Sequence, residues 1–327
     1  MIGALLVGVL LGACLPGPGQ AGDQDRRPYD VWSRERIQRL RERVTRAPQD
    51  ARLRVVLASA YFADGNAGAA RRELQEALRL QPQFPEAHCN LATVLHALGE
   101  LASARAHYEA ALEADSSMVE AMAGLGTLLC RTPERARGLA VLERAVALDA
   151  RRHPARLSLA LAYHRAGDFP RAIGHLQTLM AQEEDYPGAQ QALANAWYRL
   201  GIERLRGHQP VLALRALERA AQWDPGRADL HAARGLAHLD AGDERAAEAA
   251  FRQALAIDPE HVPALHNLGV VCESLSGLPS WRRAAAPAVG CVVLPLQISP
   301  RSAVGRTPCP RPGSRALWPT EGFPDSL

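Results

Sequence analysis

Eleven histidines and six cysteines are the side chains in this 327-residue chain that could hold a metal ion. His261 and His266 lie near Cys272, while His231 and His238 stand two turns apart on a predicted helix. Spacings of five and six residues match no known set of zinc ligands. We therefore expect these histidines to lie on a surface or in a groove, and we predict neither a metal ion nor a cofactor.

The residues needed for covalent or phosphate chemistry are missing or wrongly arranged. The chain has no lysine, which excludes Schiff-base chemistry and the lysine of a phosphate-binding loop. Serine, histidine and aspartate occur without a nucleophile-elbow motif. The sequence therefore predicts a protein that is not an enzyme. The cysteines lack the spacing of a disulfide framework and stand at Cys14, Cys89, Cys130, Cys272, Cys291 and Cys309.

Composition narrows the class of fold and of partner. A net charge of +3 is close to balance, so we expect no nucleic-acid partner. Hydrophobic residues make up 47% of the chain, but aromatic residues only 5%. A core filled mainly by alanine and leucine favours closely packed helices over sheets.

The local pattern is clearest in the stretch Glu86–Met118. Leu91 and Leu95 form one apolar stripe, Gly99 interrupts the pattern, and a second stripe begins near Ala104. The apolar residues recur at spacings of three, four and seven, as in an amphipathic helix. The stretch therefore predicts two antiparallel helices joined by a short turn.

This layout recurs with a fixed period of 34 residues, which indicates a solenoid of stacked repeats. We predict that the solenoid covers residues 51–276. Its six full repeats, numbered 1 to 6 here, and a partial repeat 7 cover residues 51–84, 85–118, 119–152, 153–186, 194–227, 228–261 and 262–276.

Repeat 1 shows the pattern most fully, with small residues at positions 8, 20 and 27, large apolar residues at 7, 11 and 24, glycine at 15 and proline at 32, and the other repeats match it in part. Repeat 1 carries them as Leu57, Ala58, Tyr61, Gly65, Ala70, Leu74, Ala77 and Pro82. The pattern resembles the tetratricopeptide repeat. This resemblance implies an all-α fold, a right-handed superhelical α-solenoid of helix-turn-helix repeats, and a role as a scaffold for protein interactions.

Small residues at three positions would let two helix axes approach closely, so we expect Ala92, Ala104 and Ala111 to be buried. Large residues between them would fill the remaining gaps. Polar residues that follow the turn glycine could cap the second helix, and they are Asn66, Asp168 and Asp243.

Some repeats depart from the pattern. Pro133 and His208 replace the turn glycine, and Arg234 replaces the leucine of position 7. Seven extra residues, Pro187–Leu193, precede repeat 5. Seven residues make two helical turns and keep the apolar face in phase, so we predict one lengthened helix over about 187–206.

In the family that the chain resembles, the first helices line a concave groove through positions 2, 5, 9 and 12. The resemblance therefore implies a groove for a peptide or a helix of a protein partner. The groove residues predicted in this way are Phe62, Thr93, His96, Leu157, Leu161, His164, Asn195, Tyr198, Leu205, Leu236 and Leu239. An alternative is that Ile202 and Leu205 only pack inside the lengthened helix pair, or that a complete repeat 7 would cover them.

The N-terminus indicates export. Residues 1–14 contain an apolar run of signal-peptide length, and Leu11 to Cys14 resembles the lipobox of bacterial lipoproteins. Cys14 would then carry the lipid. Because no basic residue precedes the run, an ordinary export signal and a misassigned start remain alternatives. Residues 15–30 are rich in proline and glycine and predict a flexible tether.

The segments at the two ends of the solenoid differ in character. Residues 31–47 predict a polar capping helix with Ile37, Leu40 and Val44 on one face, although its arginines could also form a phosphate-binding patch. Residues 277–327 hold nine prolines and two acids and read as a disordered tail. Such a tail after an interrupted repeat also resembles translation in a wrong frame or a truncated gene.

These features predict a non-catalytic scaffold of the bacterial cell envelope, anchored by lipid and facing the periplasm. A soluble secreted or periplasmic protein is the alternative location. An alternative function is the accessory region of a larger enzyme, such as a glycosyltransferase, that has been truncated or frameshifted after about residue 276.

Overall fold

The computed structural model describes residues 34–275, which are all-α and contain no strand. The helices are α1 Arg34–Arg46, α2 Ala51–Ala63, α3 Ala67–Leu80, α4 Pro85–Ala97, α5 Leu101–Ala114, α6 Val119–Leu129, α7 Arg135–Leu148, α8 His153–Ala166, α9 Phe169–Gln182, α10 Ala189–Arg206, α11 Pro210–Trp223, α12 Ala228–Asp240, α13 Glu244–Ile257 and α14 Val262–Leu275. Repeats 1 to 6 each supply a first helix and a second helix, named A and B below, and α14 is the A helix of repeat 7. The predicted all-α arrangement of helix pairs is confirmed.

The described residues belong to two compact modules. The N-terminal module contains residues 34–192 and the C-terminal module contains residues 193–275. Within each module, a B helix packs against the A helix of its own repeat and against the A helix that follows. The apolar face of each pair is therefore covered by its neighbour, as expected of stacked repeats.

Small residues allow this close packing. Ala92, Ala104 and Ala111 are all 0% exposed, which confirms the prediction for repeat 2. The large residue of position 24 fills the space between the helices, and it is at most 1% exposed in every full repeat. These large residues are Leu74, Tyr108, Leu142, Leu176, Leu217 and Phe251.

Glycine at position 8 shows how little room remains. A Cβ placed on Gly235 would lie 2.5 Å from Cε1 of Phe251, and one on Gly201 would lie 2.7 Å from Cγ of Leu217. Because heavy atoms in van der Waals contact stay about 3.5 Å apart, neither position can take a side chain without a shift. The helix axes approach as closely as they do because the side chain is missing there.

In five of the six helix pairs, one residue with positive φ forms the turn between the two helices. Gly65, Gly99, Gly167 and Gly242 have φ near +80°, and His208 takes the same left-handed region with φ of 52° where it replaces glycine. The predicted caps are confirmed, because Asn66, Asp168 and Asp243 each accept a hydrogen bond from a backbone N–H of the B helix.

The sequence pattern did not anticipate a recurring bond made by position 4. The family favours tryptophan there, but four repeats carry arginine or histidine. In each of them the side chain hydrogen-bonds the carbonyl six residues earlier, at the end of the preceding turn. The pairs are Arg54 with Pro48, His88 with Pro82, Arg156 with Ala150 and His231 with Pro225. Each bond ties an A helix to the loop that leads into it.

The insertion before repeat 5 lengthens a helix, as predicted. Helix α10 has 18 residues, whereas the other helices have 11 to 14. It begins at Ala189, two residues after the predicted start, because Gly188 has φ of +80° and ends the preceding turn.

The two ends of the described chain are single helices. Helix α1 buries Ile37, Leu40 and Val44, the predicted apolar face, against a cluster that includes Leu53 and Leu57. Helix α14 is the last described helix and packs against α12 and α13. The predictions for residues 1–14, 15–30 and 277–327 fall outside the described residues. Among residues 34–275, no helix combines the length and the apolar character that crossing a membrane requires.

Candidate peptide-binding groove

The A helices form a layer of their own within each module. Helix α2 contacts α4, α4 contacts α6, and α6 contacts α8 in the N-terminal module, while α12 contacts α14 in the C-terminal module. The B helices pack against one side of this layer. The other side, formed by successive A helices alone, is where the predicted groove residues of each module lie.

The six predicted groove residues of the N-terminal module fall into two classes. Phe62, Thr93 and Leu157 are buried, with 7%, 6% and 4% of their surface exposed. A ligand could touch only their outermost atoms. The other three keep more exposed surface. They are His96 on α4, and Leu161 and His164 on α8.

Thr93 serves the fold. Its hydroxyl donates a hydrogen bond to the carbonyl of Cys89 at 3.0 Å and lies 3.1 Å from the hydroxyl of Tyr108. Both partners are buried, so this threonine links α4 to α5 from within. Its polar atom is therefore used by the helix pair and does not face a ligand.

Basic side chains lie close to the C-terminal ends of α4, α6 and α8. Burial lowers the pKa of His96, and the nearby guanidinium of Arg131 lowers it further. Loss of hydration lowers the pKa of Arg165, with Arg131 again adding to the effect. Arg131 and Arg165 occupy position 13 of consecutive repeats, 34 residues apart. Sequence reasoning missed them, although two arginines at the repeat period are a visible signal.

Other side chains pack beside these basic groups. The ring of His164 packs edge-on against Phe169, with centroids 5.4 Å apart. Cys130 is 3% exposed, and burial raises the pKa of its thiol even though Arg165 and Arg135 act against the increase. Its thiol is thus an inert packing group. The surface available to a ligand combines Leu161 with imidazole and guanidinium groups.

The predicted groove residues of the C-terminal module are less accessible. Asn195 and Leu239 are half-buried, but Tyr198 is 3% exposed and Leu236 is 5% exposed. The prediction for Leu205 is wrong, because this side chain is 0% exposed and belongs to the core cluster. It stands directly before the turn into α11, where the helices converge, as the alternative interpretation held.

Polar side chains of this module contact one another in series. Arg227 donates to the side-chain oxygen of Asn195 at 2.7 Å, and its guanidinium lies 4.1 Å from the centre of the Tyr198 ring. Asp229 joins Arg227 to His261, whose Nε2 is 3.0 Å from the carboxylate. Burial, followed by the charge of Asp229, raises the pKa of Tyr198 to about 12.

These contacts follow the repeat. The side chain of position 34 reaches back to position 2 of the same repeat in three cases: Arg152 to Glu120, Arg227 to Asn195, and His261 to Asp229. Each contact joins the start of one A helix to the approach of the next. They were not predicted, because the shared pattern of the repeat does not specify positions 2 and 34.

Family comparison agrees with the repeat geometry. Models described as tetratricopeptide repeat match residues 55–119, 124–189 and 228–261, which together make up about half of the chain. The chain belongs to the tetratricopeptide repeat family. The fold of this family is typical of scaffolds for protein interactions.

Solved structures of tetratricopeptide repeat proteins share the fold. The C-terminal part of a repeat-containing protein from Cytophaga hutchinsonii has a TM-score of 0.55 at 15% identity, covering 72% of this chain and 93% of that one. A chain of the APC/C hetero-tetramer Cut9-Hcn1 has a TM-score of 0.48 at 20% identity, covering 73% of this chain. This chain spans only 46% of that relative's length.

YrrB, described as a tetratricopeptide repeat protein with an unusual peptide-binding site, has a TM-score of 0.39 at 19% identity; the match covers 71% of this chain and 98% of YrrB. Comparison with curated proteins finds no significant match. At these identities the likeness concerns the fold alone.

Within the described part of this tetratricopeptide repeat protein, no group of three or more histidine, cysteine, aspartate or glutamate residues is placed to hold a metal ion. Cys14, the predicted site of lipidation, is outside the described residues.

We expect the tetratricopeptide repeats to lose stability in mild acid. Burial is the main cause that lowers the pKa of four histidines below 6.5, and they are His96, His107, His175 and His238. Below about pH 6.5 the unfolded chain therefore binds more protons than the folded chain. The melting temperature should fall steadily between pH 7 and pH 5, as measured by circular dichroism at constant ionic strength.

His107 offers a test of this cause. Its Nδ1 lies 2.9 Å from Nδ1 of His88, so a proton on both rings would be repelled. His107→Gln should make the melting temperature less sensitive to pH in this range. A melting temperature that is constant or rises towards pH 5 in the unaltered chain would contradict the explanation.

Proposed function

We propose that this protein is a non-catalytic scaffold that binds a peptide or a helix of a protein partner against its A helices. One observation carries the proposal: α4, α6 and α8 are adjacent, and they present His96, Leu161 and His164 beside two arginines. The combination of an apolar side chain and nearby cations suits a protein segment that has both apolar and acidic residues.

The electrostatics favour an anionic group at this place. Burial is the main cause that lowers the pKa of Arg165 and of His96, and the charge of Arg131 lowers both further. A carboxylate between these groups would reduce the repulsion and accept hydrogen bonds from guanidinium. Leu161 would meanwhile contact an apolar residue of the same segment.

A charge placed on Leu161 tests the proposal. Leu161→Asp should abolish recovery of the partner when intact cells are crosslinked and the chain is purified for mass spectrometry, because a buried carboxylate disfavours an apolar contact. The matched control is Leu148→Asp, since Leu148 is 52% exposed on the B helix α7. Equal recovery with both variants would show that the A helices are not the binding surface.

We also propose that the protein is anchored to a bacterial envelope membrane through a lipid on Cys14 and faces the periplasm. The support is the apolar run followed by Leu11-Gly12-Ala13-Cys14. In detergent phase partitioning, the unaltered protein should enter the detergent phase and Cys14→Ser should remain in the aqueous phase. Both proteins remaining aqueous would rule out the anchor and favour a secreted or periplasmic soluble protein.

The comparisons with known proteins do not favour the alternative of an accessory region of a truncated or frameshifted enzyme.

A further inference from the structure

Positions 4 and 23 lie opposite each other on the A helix and the B helix of a pair. In repeat 1, Nη1 of Arg54 lies 2.8 Å from the carboxylate of Glu73. In repeat 2, Nδ1 of His88 lies 2.9 Å from Nδ1 of His107. In both repeats the two side chains therefore meet and fill the space between the helices.

Repeat 5 leaves this space open. The same positions hold Trp197 and Ala216, and the methyl group of alanine is too short to bridge the two helices. A cavity of about 540 Å³ results, lined by side chains between positions 197 and 222 of the C-terminal module. Ala216 is only 3% exposed and forms its base, while Trp197 and Leu200 are half-buried and form its apolar walls.

Three arginines lie beside these apolar groups. Arg204 occupies position 11, where repeats 1 to 4 have tyrosine or leucine, and Arg215 and Arg219 stand one turn apart on α11. Arg204 is half-buried, and the other two are exposed. We name this cavity the repeat-5 cleft, and the residues that define it are Trp197, Leu200, Arg204, Arg215, Ala216 and Arg219.

Nearby acids do not neutralise these arginines. Arg204 and Arg219 donate to the uncharged side chains of Gln209 and Gln222, at 3.1 and 3.4 Å. Within residues 34–275, no carboxylate lies within 4.0 Å of any of the three guanidinium groups. The lining includes one carboxylate, that of Glu218, so the cleft keeps a net positive charge.

Arginines on the B helices of the N-terminal module are paired instead. Three of them have a glutamate carboxylate within 3.0 Å, and they are Arg71, Arg105 and Arg137. Unpaired guanidinium groups beside an aromatic ring therefore distinguish the repeat-5 cleft from those helix pairs.

We propose that the repeat-5 cleft binds a small organic anion that combines an aromatic ring with a carboxylate. The ring of the ligand packs against Trp197 and Leu200, in the offset or edge-on arrangement that aromatic pairs prefer. The carboxylate accepts charge-assisted hydrogen bonds from the guanidinium groups. A volume of about 540 Å³ is within the range of small-molecule sites, which typically combine apolar walls with a few polar groups.

This site is separate from the proposed groove. The groove proposal depends on the A helices α4, α6 and α8 of the N-terminal module, whereas the cleft lies between an A helix and its own B helix in the C-terminal module. Either proposal can therefore fail without the other.

Isothermal titration calorimetry of the full-length protein with 2-naphthoate tests the proposal. Binding should be saturable, with about one equivalent bound and a dissociation constant of about 1 mM or lower, as expected of a ligand of this size. Two control ligands separate the two contributions: 2-naphthalenemethanol keeps the ring without the charge, and acetate keeps the charge without the ring. Each should bind at least about tenfold more weakly.

Matched variants of the protein locate the binding. Arg215→Gln combined with Arg219→Gln removes two cations of the cleft and should weaken 2-naphthoate binding at least about tenfold. Both side chains are exposed, so the melting temperature should be that of the unaltered protein. The control is Arg72→Gln combined with Arg79→Gln, which alters two exposed arginines of α3 and changes the net charge equally. Its affinity should stay within about twofold, because salt screens distant charges.

Four results would overturn the proposal. The first is no saturable binding of 2-naphthoate. The second is equal binding of 2-naphthalenemethanol, which would mean that the cations play no part. The third is equal binding by the variant that lacks Arg215 and Arg219, which would place the ligand elsewhere. The fourth is loss of a crosslinked protein partner from cells with that variant while 2-naphthoate fails to bind, which would make a protein segment the occupant.

Discussion

Replacing Gly235 by leucine should destabilise the C-terminal module by about 3 kcal/mol, near the upper end of the usual cost of overpacking a core. The new Cβ would lie 2.5 Å from the ring of Phe251, and Phe251 is itself 0% exposed, so the ring has nowhere to move. Urea unfolding followed by circular dichroism would measure the loss. Because repeats contribute to stability almost additively, the transition of one module should shift more than that of the other.

The matched control is the same substitution where the space is open. Gly269→Leu and Gly174→Leu should leave stability unchanged or raise it by about 1 kcal/mol, the gain expected when leucine replaces glycine within a helix. A loss at Gly269 as large as that at Gly235 would mean that glycine at position 8 serves the helix backbone and not the contact between helices.

Tyr108→Ala should cost about 3 to 5 kcal/mol in the N-terminal module, the range found when a large buried aromatic residue is truncated. Tyr108 is 0% exposed and fills the space against the next A helix, where a Cβ on Gly124 would lie 2.3 Å from its ring. Glycine occupies that position because the tyrosine ring takes the volume. Calorimetry of the full-length protein would measure the loss.

Two further variants separate the ring from its hydroxyl. Tyr108→Phe keeps the ring and removes the hydroxyl, which lies 3.1 Å from that of Thr93, so it should cost about 1 kcal/mol. Leu148→Ala removes an apolar side chain that is 52% exposed and should change stability by less than about 0.5 kcal/mol. If Tyr108→Phe were as damaging as Tyr108→Ala, the hydroxyl and not the packing would dominate.

The repeat period predicts the helix pairs because it is produced by packing. Small residues at positions 8 and 20, and at 27 in five of the six full repeats, recur with a large residue at 24 because each pair must bury the same face, and Ala92 and Tyr108 are where that rule places them. The lengthened helix α10 follows from the same rule, since seven residues preserve the phase of the apolar face. Local caps such as Asn66 follow from residue type and position alone.

The sequence predicted which side of the A helices forms the candidate site, but not which of its residues are accessible. Helical position indicates which side of an A helix a residue faces, but it does not indicate how deeply a neighbour covers that residue. Leu205 is fully buried at a groove position for this reason, while Leu161 keeps exposed surface. The cations Arg131 and Arg165 were missed because position 13 is not part of the repeat pattern, and their mutual repulsion is visible only once α6 and α8 are placed side by side.

A photo-crosslinking amino acid placed at position 161 tests most directly whether the A helices bind a protein partner. In irradiated cells of the native host it should give a discrete crosslinked species, while the same amino acid at position 148, on the exposed side of a B helix, should give none. Crosslinking at position 148 with none at position 161 would contradict the proposed groove and the function assigned to it.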